Sequence, residues 1–212
     1  MTNRPIIWII DEDEAQLDTH YSVLSMVMPR MDVRKFPPPP KMSECLRILD
    51  EEGTACLLLD QRLKETGVAD YTGIELAQYV NGINGRLPVF ILTNFAEEWH
   101  EFEKDSDAVE DILDKAHVRP SSVGHKQMIS KIYRRVNVYL KIRNEQAQRT
   151  DELIRKSFSG PLSEDEATEL AGYEVERDKS RFLREMGRIK EFKELIKAHH
   201  DVMERVRRYR SE

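Results

Sequence analysis

Short, continuous apolar runs punctuate the first half of the chain, and a polar residue stops each one. Ile6 to Ile10 ends at Asp11-Glu12-Asp13-Glu14, Cys56 to Leu59 breaks at Asp60, and Pro88 to Leu92 ends at Thr93. Such runs, with no alternation of polar and apolar positions, are the pattern of strands buried on both faces of a parallel sheet. Their carboxyl ends open into the crevice where open α/β sheets do their chemistry. Asp32 to Phe36 reads as a further short strand, and Asp111-Ile-Leu-Asp114 as a weaker one ending at Lys115.

Between the strands, apolar residues recur at helical spacing. Leu17, Tyr21, Leu24 and Met28 mark a helix from Glu14, stopped by Pro29. A second helix is expected from Met42 to about Glu52, with Leu46 and Leu49 inward and Gly53 closing it. A third runs from Gly73 to Val80, and a fourth, carrying Trp99 and Phe102, from Phe95 to Lys104. Strand and helix alternate five times. The expected fold class is therefore α/β, a doubly wound five-stranded parallel sheet of flavodoxin-like order 2-1-3-4-5. Two connectors are unusual. Pro37 to Pro40 cannot donate to a sheet ladder and is either a rigid link or a ligand for a proline-binding partner. Gln61 to Thr72 is long for a strand-to-helix loop and is expected to act as a lid or a partner contact.

The pattern changes near residue 120. Val123 to Phe158 contains no proline and one glycine, Gly124, with apolar residues at Ile129, Ile132, Val136, Tyr139, Leu140, Leu153 and Ile154. This predicts a fifth helix, capped by Ser121, that continues past the sheet domain. Gly160-Pro161 ends it, and Ser163 with Glu166 makes a capping box for a further helix running to about Tyr209. Val175, Phe182, Ile189, Ile196 and Met203 recur every seven residues and require a partner, either the preceding helix or another subunit. Residues 1–140 thus read as the α/β domain. Residues 141–212 read as a long helical hairpin or coiled-coil extension continuous with the fifth helix.

Charge follows the same division: residues 1–119 carry a net charge of −11 and residues 120–212 a net charge of +5, within a total of −6. The only cysteines, Cys45 and Cys56, have no metal-ligand spacing and are expected to be buried thiols. There is no charged-then-apolar leader, and no apolar run approaches the roughly 18 residues that span a bilayer. A cytoplasmic protein with no membrane partner is expected.

Ile-Ile-Asp-Glu after the first strand, Leu-Leu-Leu-Asp after the third, Ile-Leu-Thr after the fourth and Asp-Lys-Ala after the fifth form a set. In order and spacing, residues 5 to about 140 resemble the receiver domain of two-component response regulators. Phosphoryl transfer to a carboxylate needs a nucleophile, a divalent cation and donors for the phosphoryl oxygens. The resemblance implies Asp60 as phosphoacceptor, with Asp11, Glu12, Asp60 and the Gln61 main-chain carbonyl holding Mg²⁺. It further implies that Thr93 donates its hydroxyl to a phosphoryl oxygen and that Lys115 pairs with the phosphate. The implied function is a signalling switch, not an enzyme. A sensor histidine kinase or phosphotransfer protein would phosphorylate it, and a downstream protein partner would read it, with homodimerisation through the helices. The alternative is a phosphorylation-independent interaction scaffold with a degenerate receiver fold.

Several positions depart from the family pattern. Glu12 replaces the usual second Asp, and Asn94 follows Thr93 where a small residue is common. Ile112 stands in place of the switch aromatic, and Ala116 replaces the proline after the lysine. Arg62 and Phe95, two residues beyond Asp60 and Thr93, would flank the path of hydrolytic water, and their bulk is expected to slow loss of the phosphoryl group. The tail carries no helix-turn-helix and no catalytic motif. Arg205, Arg207, Arg208 and Arg210 are expected to be a solvated helix end, and His199-His200 ordinary helix residues, so a nucleic-acid partner is not expected.

Overall fold

A computed structural model describes residues 4–94, 96, 108–175 and 185. Five strands, β1 (Ile6–Ile10), β2 (Asp32–Phe36), β3 (Thr54–Asp60), β4 (Val89–Thr93) and β5 (Asp111–Asp114), pair in parallel in the order β2-β1-β3-β4-β5. The described helices are α1 (Glu14–Val27), α2 (Leu46–Leu49), α3 (Gly73–Ile83), α4 (His125–Ser159) and α5 (residues 164–175).

Alternation along each strand divides the core between two faces. Ile6, Trp8 and Ile10 of β1 join Leu57 and Leu59 of β3 on one face, covered by Ile74, Leu76, Ala77 and Val80 of α3. Ile7 and Ile9 join Cys56 and Leu58 on the other, covered by Leu17 and Leu24 of α1 and by Met128, Ile132 and Val136 of α4. Leu57, Leu58 and Leu59 are fully buried, and each contributes roughly 1.5–3 kcal/mol from burial. Both cysteines are free and buried.

Three local expectations are corrected. The second helix is shorter than its apolar spacing predicts: a 3₁₀ turn (Met42–Cys45) leads into a single turn of α2, where Leu46 is buried as expected, Leu49 packs half-buried against the core, and Ile48 is buried as well. Thr54 Oγ1 donates to the Ile48 carbonyl at 2.6 Å, and Gly53, at φ 101°, turns the chain into β3. Ser121 does not cap the long helix; α4 follows Gly124, where a Cβ would lie 2.5 Å from the His117 ring. Close approach of backbone to imidazole therefore sets that start. The loop after Asp60 is no free lid, because Leu63, Ala69 and Tyr71 are buried and Tyr71 Oη donates to the Pro39 carbonyl at 2.7 Å. The polyproline connector thereby acts as a rigid strut. The loop ends in a capping box that the sequence reading missed, with Thr72 and Glu75 each satisfying the other's main-chain N–H.

α4 spans 35 residues, about 50 Å. As far as Leu140 it packs on the sheet; beyond, it pairs with α5, and Leu153 is buried. Arg149 makes hydrogen bonds of 2.9–3.2 Å to both carboxylate oxygens of Glu169. Lys156 reaches Glu166 at 2.6 Å, and Glu166 closes the expected capping box with Ser163. The heptad beyond Val175, the segment with Phe95, Trp99 and Phe102, and the basic C-terminal residues lie outside the described residues. Among the described residues, no helix is long and apolar enough to cross a membrane.

Candidate functional site

Strand register assembles the polar residues at the carboxyl edge of the sheet. Ile10 pairs with Leu59, so Asp11 follows beside Asp60. Asp60 pairs with Leu92, and Thr93 pairs with Asp114, the residue before Lys115. One carboxylate oxygen from each of Asp11, Glu12 and Asp60 lies within 4.8 Å of the other two. Asp11, Asp60, Thr93 and Lys115 are all buried.

Lys115 Nζ lies 2.6 Å from Asp60 Oδ1 and 2.8 Å from Asp11 Oδ2, and it donates to Gln16 Oε1 at 2.9 Å. Asp60 Oδ2 accepts the Arg62 main-chain N–H at 2.6 Å, and Asp11 Oδ1 accepts that of Asp13 at 3.0 Å. Asp11 and Asp60 thus share one ammonium, and Glu12 adds a third carboxylate beside them. The electrostatics record the imbalance. Burial raises the pKa of Asp11 against the pull of Lys115. Burial, reinforced by Asp60 and Asp11, pushes Glu12 up to about 7. Burial alone would lower the pKa of Lys115, but its bonds to Asp11 and Asp60 outweigh that and leave it raised.

Among the described residues, Glu12 Oε2 and Gln61 Oε1 are buried without a hydrogen-bond partner. Uncompensated negative charge and orphaned hard oxygen donors fit a divalent cation of the magnesium kind. The Gln61 carbonyl accepts the Gly73 N–H at 3.1 Å, which ties it to the start of α3 and leaves its second lone pair available.

A pH dependence follows. With its pKa raised to about 7, Glu12 binds more proton in the folded than in the unfolded chain between about pH 4.5 and 7. Stability without a divalent cation therefore falls as pH rises through that window, by about 1–2 kcal/mol after solvent screening on the exposed side of Glu12. Thermal unfolding from pH 4.5 to 8 in chelator should show a declining Tm that Mg²⁺ flattens. The Glu12→Gln chain should lose most of the slope, and an unchanged slope would remove Glu12 as its source.

The remaining expected site residues are less central. The Arg62 guanidinium bonds Glu65 at 2.8 Å. Asn94 is exposed on the wall of a cavity of about 450 Å³ between α1 and the 3₁₀ turn Lys115–Val118. Ile112 is half-buried against the α3-side core and pairs with Ile91. Phe95 lies outside the described residues. The sequence reading missed Gln16 and His20, which sit four apart on the inner face of α1; two polar residues at that spacing on an otherwise apolar face were the available signal. His20 is buried with Nδ1 3.8 Å from Asp11 Oδ2, and burial together with Lys115 pushes its pKa down to about 4. The imidazole is therefore neutral at physiological pH.

No family model matches the chain, and no curated protein matches it. Solved structures do. NtrX from Brucella abortus is 14% identical over 70% of this chain, with a TM-score of 0.51; the match covers 30% of NtrX. NtrX in complex with ADP is 13% identical over 73% of this chain and 33% of its own, also at 0.51. A CheY-like response regulator receiver domain protein from Methanospirillum hungatei is 18% identical over 66% of this chain and 98% of its own, at 0.49. The chain has the receiver fold. The β2-β1-β3-β4-β5 order agrees, and the acidic group, Thr93 and Lys115 stand at the strand ends of that fold. In this receiver fold the departures are local: Ile112 fills its place on β5 with an aliphatic chain, and Ala116 is exposed.

Proposed function

We propose that this chain is a response-regulator-type signalling switch rather than an enzyme, with Asp60 as the phosphoacceptor. The observation that carries the reading is Lys115 bridging Asp60 and Asp11 beside a cluster of three carboxylates, since a pure scaffold gains nothing from burying unbalanced charge. Asp11, Glu12 and Asp60, with the Gln61 carbonyl, would hold Mg²⁺, which when bound neutralises phosphoryl oxygens.

The chain's own groups supply the rest. The Arg62 N–H holds Asp60 Oδ2, which leaves one carboxylate rotamer for attack on a phosphorus centre. Lys115 offers a localised positive charge to the incoming phosphoryl oxygens, and the Thr93 hydroxyl is a donor at the adjacent strand end. A sensor histidine kinase or phosphotransfer protein would be the donor. The long α4 and its α5 partner would carry the change to a downstream protein or a second copy of the chain.

The test is intact mass and oligomeric size after incubation with Mg²⁺ and a small phosphodonor or beryllofluoride, beside an Asp60→Asn control. A phosphoryl adduct or a beryllofluoride response confined to the wild type is expected. Absence of both, also with a cognate kinase, would sink the switch and leave the scaffold.

A further inference from the structure

An ammonium has three N–H donors, and Lys115 spends them on Asp60, Asp11 and Gln16. A phosphoryl group on Asp60 brings new oxygens that claim at least one of them. Asp11 and Gln16 both belong to the β1–α1 side of the site, so an ammonium displaced toward Asp60 lengthens those two bonds together. Asp11 Oδ2 is then a buried carboxylate oxygen without its donor.

His20 is placed to replace it. Its Nδ1 is 3.8 Å from that same Oδ2, its side chain is 93% buried, and Nδ1 has no hydrogen-bond partner among the described residues. Closing to an ordinary hydrogen bond takes a shift of about 0.8 Å. The cavity of about 450 Å³ beside it, lined by Gln16, Thr19, His20 and Lys115, leaves room for that motion.

We propose that His20 is a positioning residue: it donates from Nδ1 to Asp11 when Lys115 turns to the phosphoryl group, and so keeps Asp11 aimed at the cation in the phosphorylated state. The proposal rests on the phosphoacceptor reading of Asp60. Partners of this kind, which orient a ligating carboxylate, typically change affinity by about 10–100-fold when removed.

Isothermal titration of the full chain separates the possibilities. Wild type should bind Mg²⁺ and then, in its presence, beryllofluoride. His20→Leu should weaken beryllofluoride binding by about tenfold while Mg²⁺ affinity alone changes less than about twofold, because Lys115 still holds Asp11 in that state. His20→Asn, which keeps an N–H near the Nδ1 position, should remain within about threefold of wild type. Equal beryllofluoride binding by wild type and His20→Leu overturns the proposal, as does a parallel loss of Mg²⁺ binding, which marks a packing role. A wild type that ignores beryllofluoride overturns the phosphoacceptor reading itself, a separable result. Should His20→Leu not fold, His20→Gln serves instead, since its amide reaches the Nε2 position: loss with Gln but not Asn supports the proposal, and equal behaviour overturns it.

Discussion

Lys115→Met should destabilise the folded chain by about 3–5 kcal/mol at neutral pH in chelator, the cost of leaving buried charge without its partner. Asp60 and Asp11 lose contacts of 2.6 and 2.8 Å, and His20, 3.8 Å from Asp11 and neutral, brings no positive charge in their place. In thermal terms this is a fall in Tm on the order of 10 °C for a chain of this size. The deficit should shrink on acidification, as Asp11 and Glu12 take up protons, and on addition of Mg²⁺, which replaces the missing charge. Thermal melts at pH 5 and 7.5, with and without Mg²⁺, give four values that test the electrostatic account. A uniform loss across all four would mean that Lys115 acts through packing of its alkyl stem.

Gly73→Ala should be nearly as disruptive and for a purely steric reason. A Cβ at Gly73 would stand 2.2 Å from the Asp60 carbonyl oxygen, 3.0 Å from its carbon and 3.1 Å from Gln61 Cα, all of them backbone atoms. Relief requires α3 to retreat from the end of β3, which costs about 1–3 kcal/mol as overpacking does elsewhere. It also pulls the Gly73 N–H from the Gln61 carbonyl, a bond of 3.1 Å. Mg²⁺ affinity should therefore fall by about tenfold or more, as for other groups that orient metal ligands. Gly82, in the same helix, has nothing within 4 Å of its Cβ position. Gly82→Ala should leave Mg²⁺ binding intact and stabilise the fold by up to about 1 kcal/mol from helix propensity alone. If the two alanines behave alike, close approach at Gly73 is not what positions the site.

Much of this architecture was written in local pattern. Strands buried on both faces must be apolar throughout and must stop where the chain meets water, so the runs ending at Asp11, Asp60 and Thr93 marked both the sheet and its working edge. The Ser163–Glu166 box and the Gly160-Pro161 stop are likewise local, and the helix boundaries there agree with them. Prediction failed where a boundary depends on what a residue meets across space. Gly124 starts α4 because of the His117 ring, and α2 stops short beside the Thr54 hydroxyl, neither of which has a signature in neighbouring residues.

The candidate site divides in the same way. Local pattern set the residue types at the strand ends, hence the carboxylates, hydroxyl and ammonium that any chemistry there must use. Tertiary structure alone decided how they are wired. Lys115 meets Gln16 across 99 residues and Asp11 across 104, and Tyr71 reaches Pro39 to pack down a loop whose composition reads as free. It also showed that Asp11 and Asp60 share one ammonium with Glu12 close by, and that His20 Nδ1, beside Asp11, has no hydrogen-bond partner among the described residues. Charge balance and hydrogen-bond satisfaction are properties of atoms brought within a few ångströms by the whole fold, and no window of sequence contains them.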